Sequence, residues 1–239
     1  MGDPVVLGYD EAMSDTLYLK QMELGSMQNF GYLIGDRAER ECVVVDPAWE
    51  IDVVTKTAAE DDMRIVGVLV THTHQDHVGG RIFGIDIPGV EELLSRVPAK
   101  VYVHKAEREF LRGFGSDLVK VEGGDTLTVG RVTVTFIHTP GHTPGSQCFL
   151  VDGHLISGDT LFIRACGRTD LPGSDPARMY YSLTQRLGAL PDETVVFPGH
   201  NYGGPATTIG DEKRQNPMMR FRSMTDFLRA VGGDRAERT

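Results

Sequence analysis

The sequence has few cysteines, an excess of acidic residues and no long apolar run. Its three cysteines, Cys42, Cys148 and Cys166, are odd in number and widely spaced, which argues against a disulfide framework and predicts reduced thiols. Lysine and arginine total 24 against 34 aspartates and glutamates, which gives a formal charge of −10. A nucleic-acid surface requires clustered basic residues, so we do not expect a nucleic-acid partner.

Membrane and export signals are also missing from the sequence. No apolar stretch reaches the ~20 residues of a membrane-spanning helix. The segment Met1-Gly2-Asp3-Pro4 opens the chain without the basic stretch or apolar core of a signal peptide. We therefore expect a cytoplasmic protein that has neither nucleic-acid nor membrane partners. The oligomeric state stays open, and a dimer is compatible with the sequence.

The composition is that of a compact enzyme. With 40% hydrophobic and 24% charged residues, the chain has enough apolar side chains for one sizeable core. Its glycines and prolines are spread along the chain rather than gathered in a linker. This predicts a single domain over residues 1–239, which ends in a short helical segment from about residue 205.

Runs of β-branched and apolar residues alternate with helical patterns along the chain. Strands are predicted at 17–23, 29–34, 42–45, 65–70, 100–103, 132–137, 147–151, 155–157 and 194–197. Helices are predicted at 51–61, 90–96, 105–111, 176–187, 209–214 and 223–231. For residues 80–98 two interpretations stay open, a wall of the substrate pocket and a surface helix hairpin. The order of elements is typical of two sheets between layers of helices.

Four side chains that can bind metal crowd into six residues, since His72, His74, Asp76 and His77 directly follow the predicted strand 65–70. Side chains two apart in an extended backbone point the same way, so His72 and His74 can bind one ion. After the chain turns, Asp76 and His77 face a second position. A solvated, histidine-rich turn is the structural alternative.

Three more candidate ligands argue against that alternative, because His142, Asp159 and His200 each follow a predicted strand within a few residues. Five histidines and two aspartates suffice for two ions if one carboxylate bridges them. We assign His72, His74 and His142 to a first ion and Asp76, His77 and His200 to a second ion. Asp159 would bridge the two ions. Closed structural zinc sites usually use cysteine, and none of the three cysteines belongs to this set. The set therefore predicts an open catalytic site.

This order of ligands resembles the metallo-β-lactamase fold superfamily. The resemblance implies an α/β fold, a four-layer αββα sandwich. Three further segments are similar to the glyoxalase II-like (hydroxyacylglutathione hydrolase) and persulfide dioxygenase branches: Gln28-Asn29-Phe30, Gly158-Asp159-Thr160-Leu161-Phe162 and Cys166-Gly167-Arg168-Thr169-Asp170.

The seven-ligand set favours a metal-dependent hydrolase that acts on a small molecule. It would use two divalent ions, which are zinc, iron or manganese. The expected reaction is attack of a metal-bridging hydroxide on a thioester such as a hydroxyacylglutathione, with Asp76 as the catalytic residue that orients the hydroxide or takes its proton. A lactone or another ester is an alternative substrate, and a non-enzymatic metal-binding module is a third hypothesis.

The persulfide dioxygenase resemblance implies a different reaction. There His72, His142 and Asp159 would form the facial triad of one iron(II), and glutathione persulfide would be oxidised to sulfite. The complete set of seven ligands exceeds what one iron needs, so we favour hydrolysis.

Substrate contacts are the least determined part of the prediction. Full-length glyoxalase II proteins carry a larger C-terminal helical domain that helps clamp glutathione, whereas 39 residues follow His200 here. A partial clamp is predicted from Arg164, Arg168, Tyr202 and Lys213. Salt bridges at the surface are the structural alternative for each of them.

Overall fold

The structure, a computed structural model, describes residues 6–8, 16–107 and 117–232. In chain order the first half comprises β1 (Val6–Gly8), β2 (Leu17–Leu24), β3 (Asn29–Asp36), β4 (Glu41–Val45), α1 (Ile51–Glu60), β5 (Arg64–Leu69), α2 (Gln75–Val78), β6 (Gly80–Ile82), β7 (Ile85–Ile87), α3 (Val90–Arg96), β8 (Lys100–His104) and β9 (Leu118–Val121). The second half comprises β10 (Thr126–Val129), β11 (Val132–His138), β12 (Gln147–Val151), β13 (His154–Gly158), β14 (Leu161–Phe162), β15 (Ala165–Cys166), α4 (Pro176–Tyr181), β16 (Val195–Pro198), β17 (Thr207–Thr208), α5 (Ile209–Gln215) and α6 (Met224–Gly232).

Two sheets dominate the described residues. The first has the order β1-β2-β3-β4-β5-β8-β9, and the second has the order β10-β11-β12-β13-β16-β17. Four strand pairs are parallel, namely β4–β5, β5–β8, β8–β9 and β13–β16. The other pairs of both sheets are antiparallel. Two short hairpins, β6–β7 and β14–β15, lie outside both sheets.

Strand β4 shows why the sheets form inner layers. Alternate side chains of a strand point to opposite faces. Val43 and Val45 belong to the cluster shared with the second sheet. Cys42 and Val44 belong to the cluster shared with the helices α1 and α3. The second sheet buries its outer face against α4 and α6 in a third cluster. The predicted four-layer αββα sandwich is therefore confirmed.

An ion pair between a buried carboxylate and an exposed guanidinium also joins the two sheets. Asp36, at the end of β3, is fully buried and accepts hydrogen bonds from Arg131, in the turn between β10 and β11. The Arg131 Nε donates to Asp36 Oδ2 at 2.8 Å, and this guanidinium holds the pKa of the carboxyl well below its usual value.

Most predicted elements are confirmed within one or two residues at each end, including α1, α3 and both C-terminal helices. Two predicted helices are wrong in part. The helix 105–111 does not begin at Lys105, because the Lys105 amide donates to Val121 O and residues 105–106 form a turn. Residues 108–111 lie outside the described ranges. The helix 176–187 is α-helical only as far as Tyr181 and continues as a π-helix over Ser182–Arg186.

The helix-hairpin interpretation of the segment 80–98 is wrong, whereas the pocket-wall interpretation stays a prediction. The segment contains α3, but β6 and β7 pair as a β-hairpin in place of a helix hairpin. Phe83 and Gly84 form its turn with positive φ angles of 50° and 85°. Across the described ranges, we find no helix long and apolar enough to cross a membrane.

Candidate metal centre

The candidate ligands converge where strands of the two sheets end. His72 to His77 follow β5, whereas His142, Asp159 and His200 follow β11, β13 and β16 of the other sheet. Backbone hydrogen bonds join the sheets at this edge, from Gln147 N to Thr71 O and from Phe30 N to Gly199 O. The carboxyl ends of strands commonly place ligand sites in this way.

The first metal group consists of His72, His74 and His142, whose ligand atoms all lie within 4.8 Å of one another. The Nδ1 atom of His74 lies 2.9 Å from Nε2 of His142. The His72 ring lies 4.7 Å from the His74 ring and 4.8 Å from the His142 ring, centroid to centroid. Two nitrogens bound to one tetrahedral zinc lie about 3.3 Å apart, so this spacing suits a shared ion.

The second metal group consists of Asp76, His77 and His200, which are all buried. The Nε2 atoms of His77 and His200 lie 3.2 Å apart. Asp76 Oδ2 lies 3.3 Å from the first of these nitrogens and 3.4 Å from the second. Each edge of this triangle again matches the spacing of ligands around one ion.

Asp159 lies between the two groups and offers one oxygen to each. Its Oδ2 lies 3.5 Å from His142 Nε2 in the first group. Its Oδ1 lies 3.3 Å from His77 Nε2 and 3.5 Å from His200 Nε2 in the second group. A carboxylate with this placement can bridge two ions.

The unpartnered atoms of the centre fit bound cations. His72 Nε2 and Asp159 Oδ1 are buried, and neither has a hydrogen-bond partner among the described residues. An unsatisfied buried polar atom costs about 1–3 kcal/mol. A metal ion in each group would satisfy these atoms, so the residues present fit the metals that the sequence predicts.

The outer nitrogens of the histidines are held so that the inner ones face the centre. His142 Nδ1 donates to the carbonyl of Arg168 at 2.8 Å, and His200 Nδ1 donates to the carbonyl of Met27 at 2.9 Å. With the proton on Nδ1, the Nε2 lone pair points inward. Such outer partners fix the tautomer and orientation of metal-binding histidines.

Asp46 is a functional residue that the sequence reasoning missed. Its Oδ2 accepts a hydrogen bond from His77 Nδ1 at 3.0 Å and one from Thr71 Oγ1 at 2.5 Å. Thr71 Oγ1 in turn lies 3.0 Å from His72 Nδ1. The Asp46 carboxylate therefore holds one histidine of each group, His77 directly and His72 through Thr71. Asp46 directly follows β4, so the strand-end rule that found the ligands also applies to it.

Asn29 is a second missed contact, although its segment was quoted for the family resemblance. Its Nδ2 donates to Asp76 Oδ2 at 3.0 Å, and its backbone forms a β-bridge with His200. Asn29 therefore holds a carboxylate of the second group through its side chain and a histidine of that group through its backbone.

The two groups differ in their electrostatics. Burial lowers the pKa of His72 and of His74, so these two imidazoles are neutral at pH 7. Burial also opposes charge on His77 and His200, but the carboxylates of Asp159 and Asp76 raise the pKa of both, that of His200 to about 9. The second group therefore attracts positive charge more strongly.

Both aspartates of the centre stay ionised. Burial raises the pKa of Asp76, but His77 and hydrogen bonds from its neighbours outweigh this and hold it well below the usual value. Burial also raises the pKa of Asp159, but the charges of His77 and His200 outweigh this and lower it well below the usual value. A carboxylate with so low a pKa suits metal binding and orientation better than proton uptake.

Among the four predicted substrate contacts, Tyr202 is the one whose side chain touches a ligand within the described ranges. Its ring stacks on His200 at 4.6 Å with an interplanar angle of 12°, and 58% of the residue is exposed. Phe162 packs edge-on against Tyr202 at 5.5 Å. This aromatic pair covers the solvent side of His200.

The three predicted basic contacts are placed differently. Arg168 is exposed and pairs with Asp170, although its backbone carbonyl holds His142. Arg164 is exposed, and its backbone amide donates to Glu212. The Lys213 ammonium is held by Asp192 at 2.7 Å and by the carbonyl of Leu190, which gives it a structural role.

Comparison with known proteins agrees with this geometry. Residues 25–200 match the Metallo-beta-lactamase superfamily. A probable polyketide biosynthesis zinc-dependent hydrolase, BaeB of Bacillus velezensis, is 34% identical over 175 residues, which cover 73% of this chain and 74% of that protein. The mitochondrial persulfide dioxygenase ETHE1 of Homo sapiens is 31% identical over 227 residues, which cover 90% of this chain and 81% of that protein. The crystal structure of ETHE1 from Myxococcus xanthus has a TM-score of 0.80 at 33% identity and covers 90% of each chain.

Proposed function

Because this chain belongs to the metallo-beta-lactamase superfamily, we propose that it is a two-metal hydrolase that cleaves a thioester such as a hydroxyacylglutathione. The observation that carries the proposal is the position of Asp159, whose two oxygens face two complete groups of three ligands. One ion would use only part of this arrangement.

The ligand residues would prepare the centre for hydrolysis. Two divalent ions, when bound, supply an activated water near neutral pH and polarise the carbonyl that is attacked. Asp76 stays ionised beside His77 and His200, so it orients the water rather than storing its proton. Asn29 fixes this carboxylate through its Nδ2.

Substrate binding is proposed for the exposed side chains near the centre. Tyr202 offers a ring face and a hydroxyl above His200. Arg168 and Arg164 are exposed cations that suit the carboxylates of a glutathione-derived thioester. Lys213 contributes least to this proposal, because Asp192 and the Leu190 carbonyl already hold its ammonium. A lactone or another ester would fit the same centre.

Persulfide oxidation is the second candidate, and the similarity to human ETHE1 over 90% of this chain favours it. In that case His72, His142 and Asp159 would hold one iron(II), the arrangement of a facial triad. Asp76, His77 and His200 would then lie beside the reaction without holding an ion.

One experiment separates the two candidates. Protein purified without added metal is analysed for its metal content and is then assayed for S-lactoylglutathione cleavage and for oxygen uptake with glutathione persulfide. We expect two ions per chain and thioester cleavage. A single iron with oxygen uptake would reject the hydrolase.

A matched pair of variants tests the second group within this assay. Asp76→Asn should abolish nearly all cleavage, because it removes a ligand charge from the centre. Asp62→Asn is the control, since Asp62 is an exposed aspartate whose side chain pairs with Arg40 at the surface. Survival of most activity in Asp76→Asn would count against a working second group.

A further inference from the structure

We infer that Glu107 is a positioning residue that sets the spacing of the two loops of the first metal group and so controls ion binding there. The inference rests on the proposed two-metal function. Glu107 follows β8 and is buried, with 6% of its surface exposed. It touches none of the predicted ligands, so it acts through other residues.

The contacts of Glu107 join two loops that are far apart in sequence. Its Oε2 accepts a hydrogen bond from Thr73 Oγ1 at 2.5 Å, and Thr73 is the residue between His72 and His74. Its Oε1 accepts from Thr143 Oγ1 at 2.5 Å and from the Gly145 amide at 2.9 Å. One carboxylate therefore connects the loop that carries two histidines of the first group with the loop that carries the third.

The packing around Glu107 leaves no room for a side chain at position 145. A Cβ atom added to Gly145 would lie 2.6 Å from Glu107 Cγ and 2.7 Å from its Oε1. A glycine at this position is what allows the carboxylate to reach the loop backbone. With three donors on two oxygens, the buried charge is well satisfied and its position is fixed.

The second group is held by other residues. Asp46 orients His77, Asn29 fixes Asp76, and the Met27 carbonyl holds His200. None of these contacts involves Glu107. Removing its charge should therefore change the two groups unequally, which a general loss of stability would not do.

The experiment titrates metal-free protein with Zn²⁺ and measures the number of ions and both dissociation constants. In Glu107→Gln, we expect one ion to bind about 10–100-fold more weakly, the usual cost of losing an outer partner, while the other is unchanged. Glu212→Gln is the control, because Glu212 is buried and also accepts three hydrogen bonds, from Arg164 N, Thr207 Oγ1 and Asn216 Nδ2. This control should lose stability but keep both ions.

Adding Glu107→Gln to each of two further variants identifies which metal group it affects. In His200→Ala, which impairs the second group, adding Glu107→Gln should weaken the remaining ion. In His142→Ala, which impairs the first group, adding it should change nothing. Equal weakening in both backgrounds, or in neither, would overturn the inference.

Failure of the variant to fold would not leave the inference untested. Thr73→Val removes a single donor and keeps the carboxylate, so it should weaken the same ion by a smaller factor, and unchanged binding would reject the inference. If the wild type binds only one ion, the dinuclear proposal fails by itself. The inference then requires Glu107→Gln to weaken that ion, and it is rejected if binding is unchanged.

Discussion

The two metal groups use similar side chains but differ in charge and in the way the chain holds them. His72, His74 and His142 form a group of imidazoles without a carboxylate of its own, and the buried carboxylate of Glu107 holds the spacing of their loops. The second group includes the carboxylate of Asp76, which the amide of Asn29 holds in place. On our proposal, different residues therefore control the ion affinities of the two positions.

The largest effect is expected where the two groups meet. Asp159→Asn keeps the shape of the side chain but removes the bridging charge, so both ions should bind weakly. Cleavage should fall by roughly a thousandfold, since metal ions contribute several kcal/mol of transition-state stabilisation. Metal content after dialysis and the rate of thioester cleavage measure this. If the variant keeps two ions, Asp159 is not the bridge.

Asp46→Asn should affect both groups, because Asp46 holds His77 directly and His72 through Thr71. We expect each ion to bind about 10–100-fold more weakly. The variant should also lose about 1–3 kcal/mol of stability, because buried donors lose their acceptor. Zinc titration and thermal unfolding check these values. An effect on one group alone would break the contrast with Glu107.

The pH dependence of ion binding should differ between the groups. Below pH 9 an ion entering the second group must displace protons, because burial is outweighed by Asp159 and Asp76, which raise the pKa of His200 to about 9 and that of His77 well above its usual value. Its affinity should therefore rise from pH 7 upwards, about tenfold per pH unit for each proton displaced.

In the first group, His72 and His74 should release no proton near neutrality, since burial lowers the pKa of both. Calorimetric titration in buffers of different ionisation enthalpy counts the protons released by each ion. Equal proton release from both groups would show that the charge difference between them is not real.

The smallest effect concerns the surface above the second group. Tyr202→Ala removes the ring stacked on His200 and should raise KM roughly fivefold, or about 1 kcal/mol, with little change in kcat. Tyr181→Ala is the matched control, because Tyr181 is also an exposed tyrosine but lies on α4 with its ring against Tyr180, and it should leave KM unchanged. Equal changes in the two variants would remove Tyr202 from the substrate site.

The fold and the convergence of the candidate ligands were predictable because the signals are local. Each ligand follows a strand of apolar residues, and α/β patterning decides which strand ends meet. Asp46 was within reach of the same rule, as it directly follows β4. The hairpin of β6 and β7 was not predictable in this way, because Phe83 in its turn adopts a positive φ of 50°, which a bulky side chain rarely does.

Glu107 shows the limit of sequence reasoning most clearly. The pattern around it predicted the helix 105–111. Its partners Thr73, Thr143 and Gly145 lie 34 to 38 positions away along the chain. The contact with Thr73 forms when β5 and β8 pair in the first sheet, and those with Thr143 and Gly145 form when the two sheets stack, so no local periodicity reports them.

Anomalous diffraction from zinc-loaded crystals, recorded on both sides of the zinc edge, tests the two-metal centre most directly. We expect two peaks about 3.5–4 Å apart, one among His72, His74 and His142 and the other among Asp76, His77 and His200, with Asp159 contacting both. A single peak, or a second one outside these residues, would contradict the account.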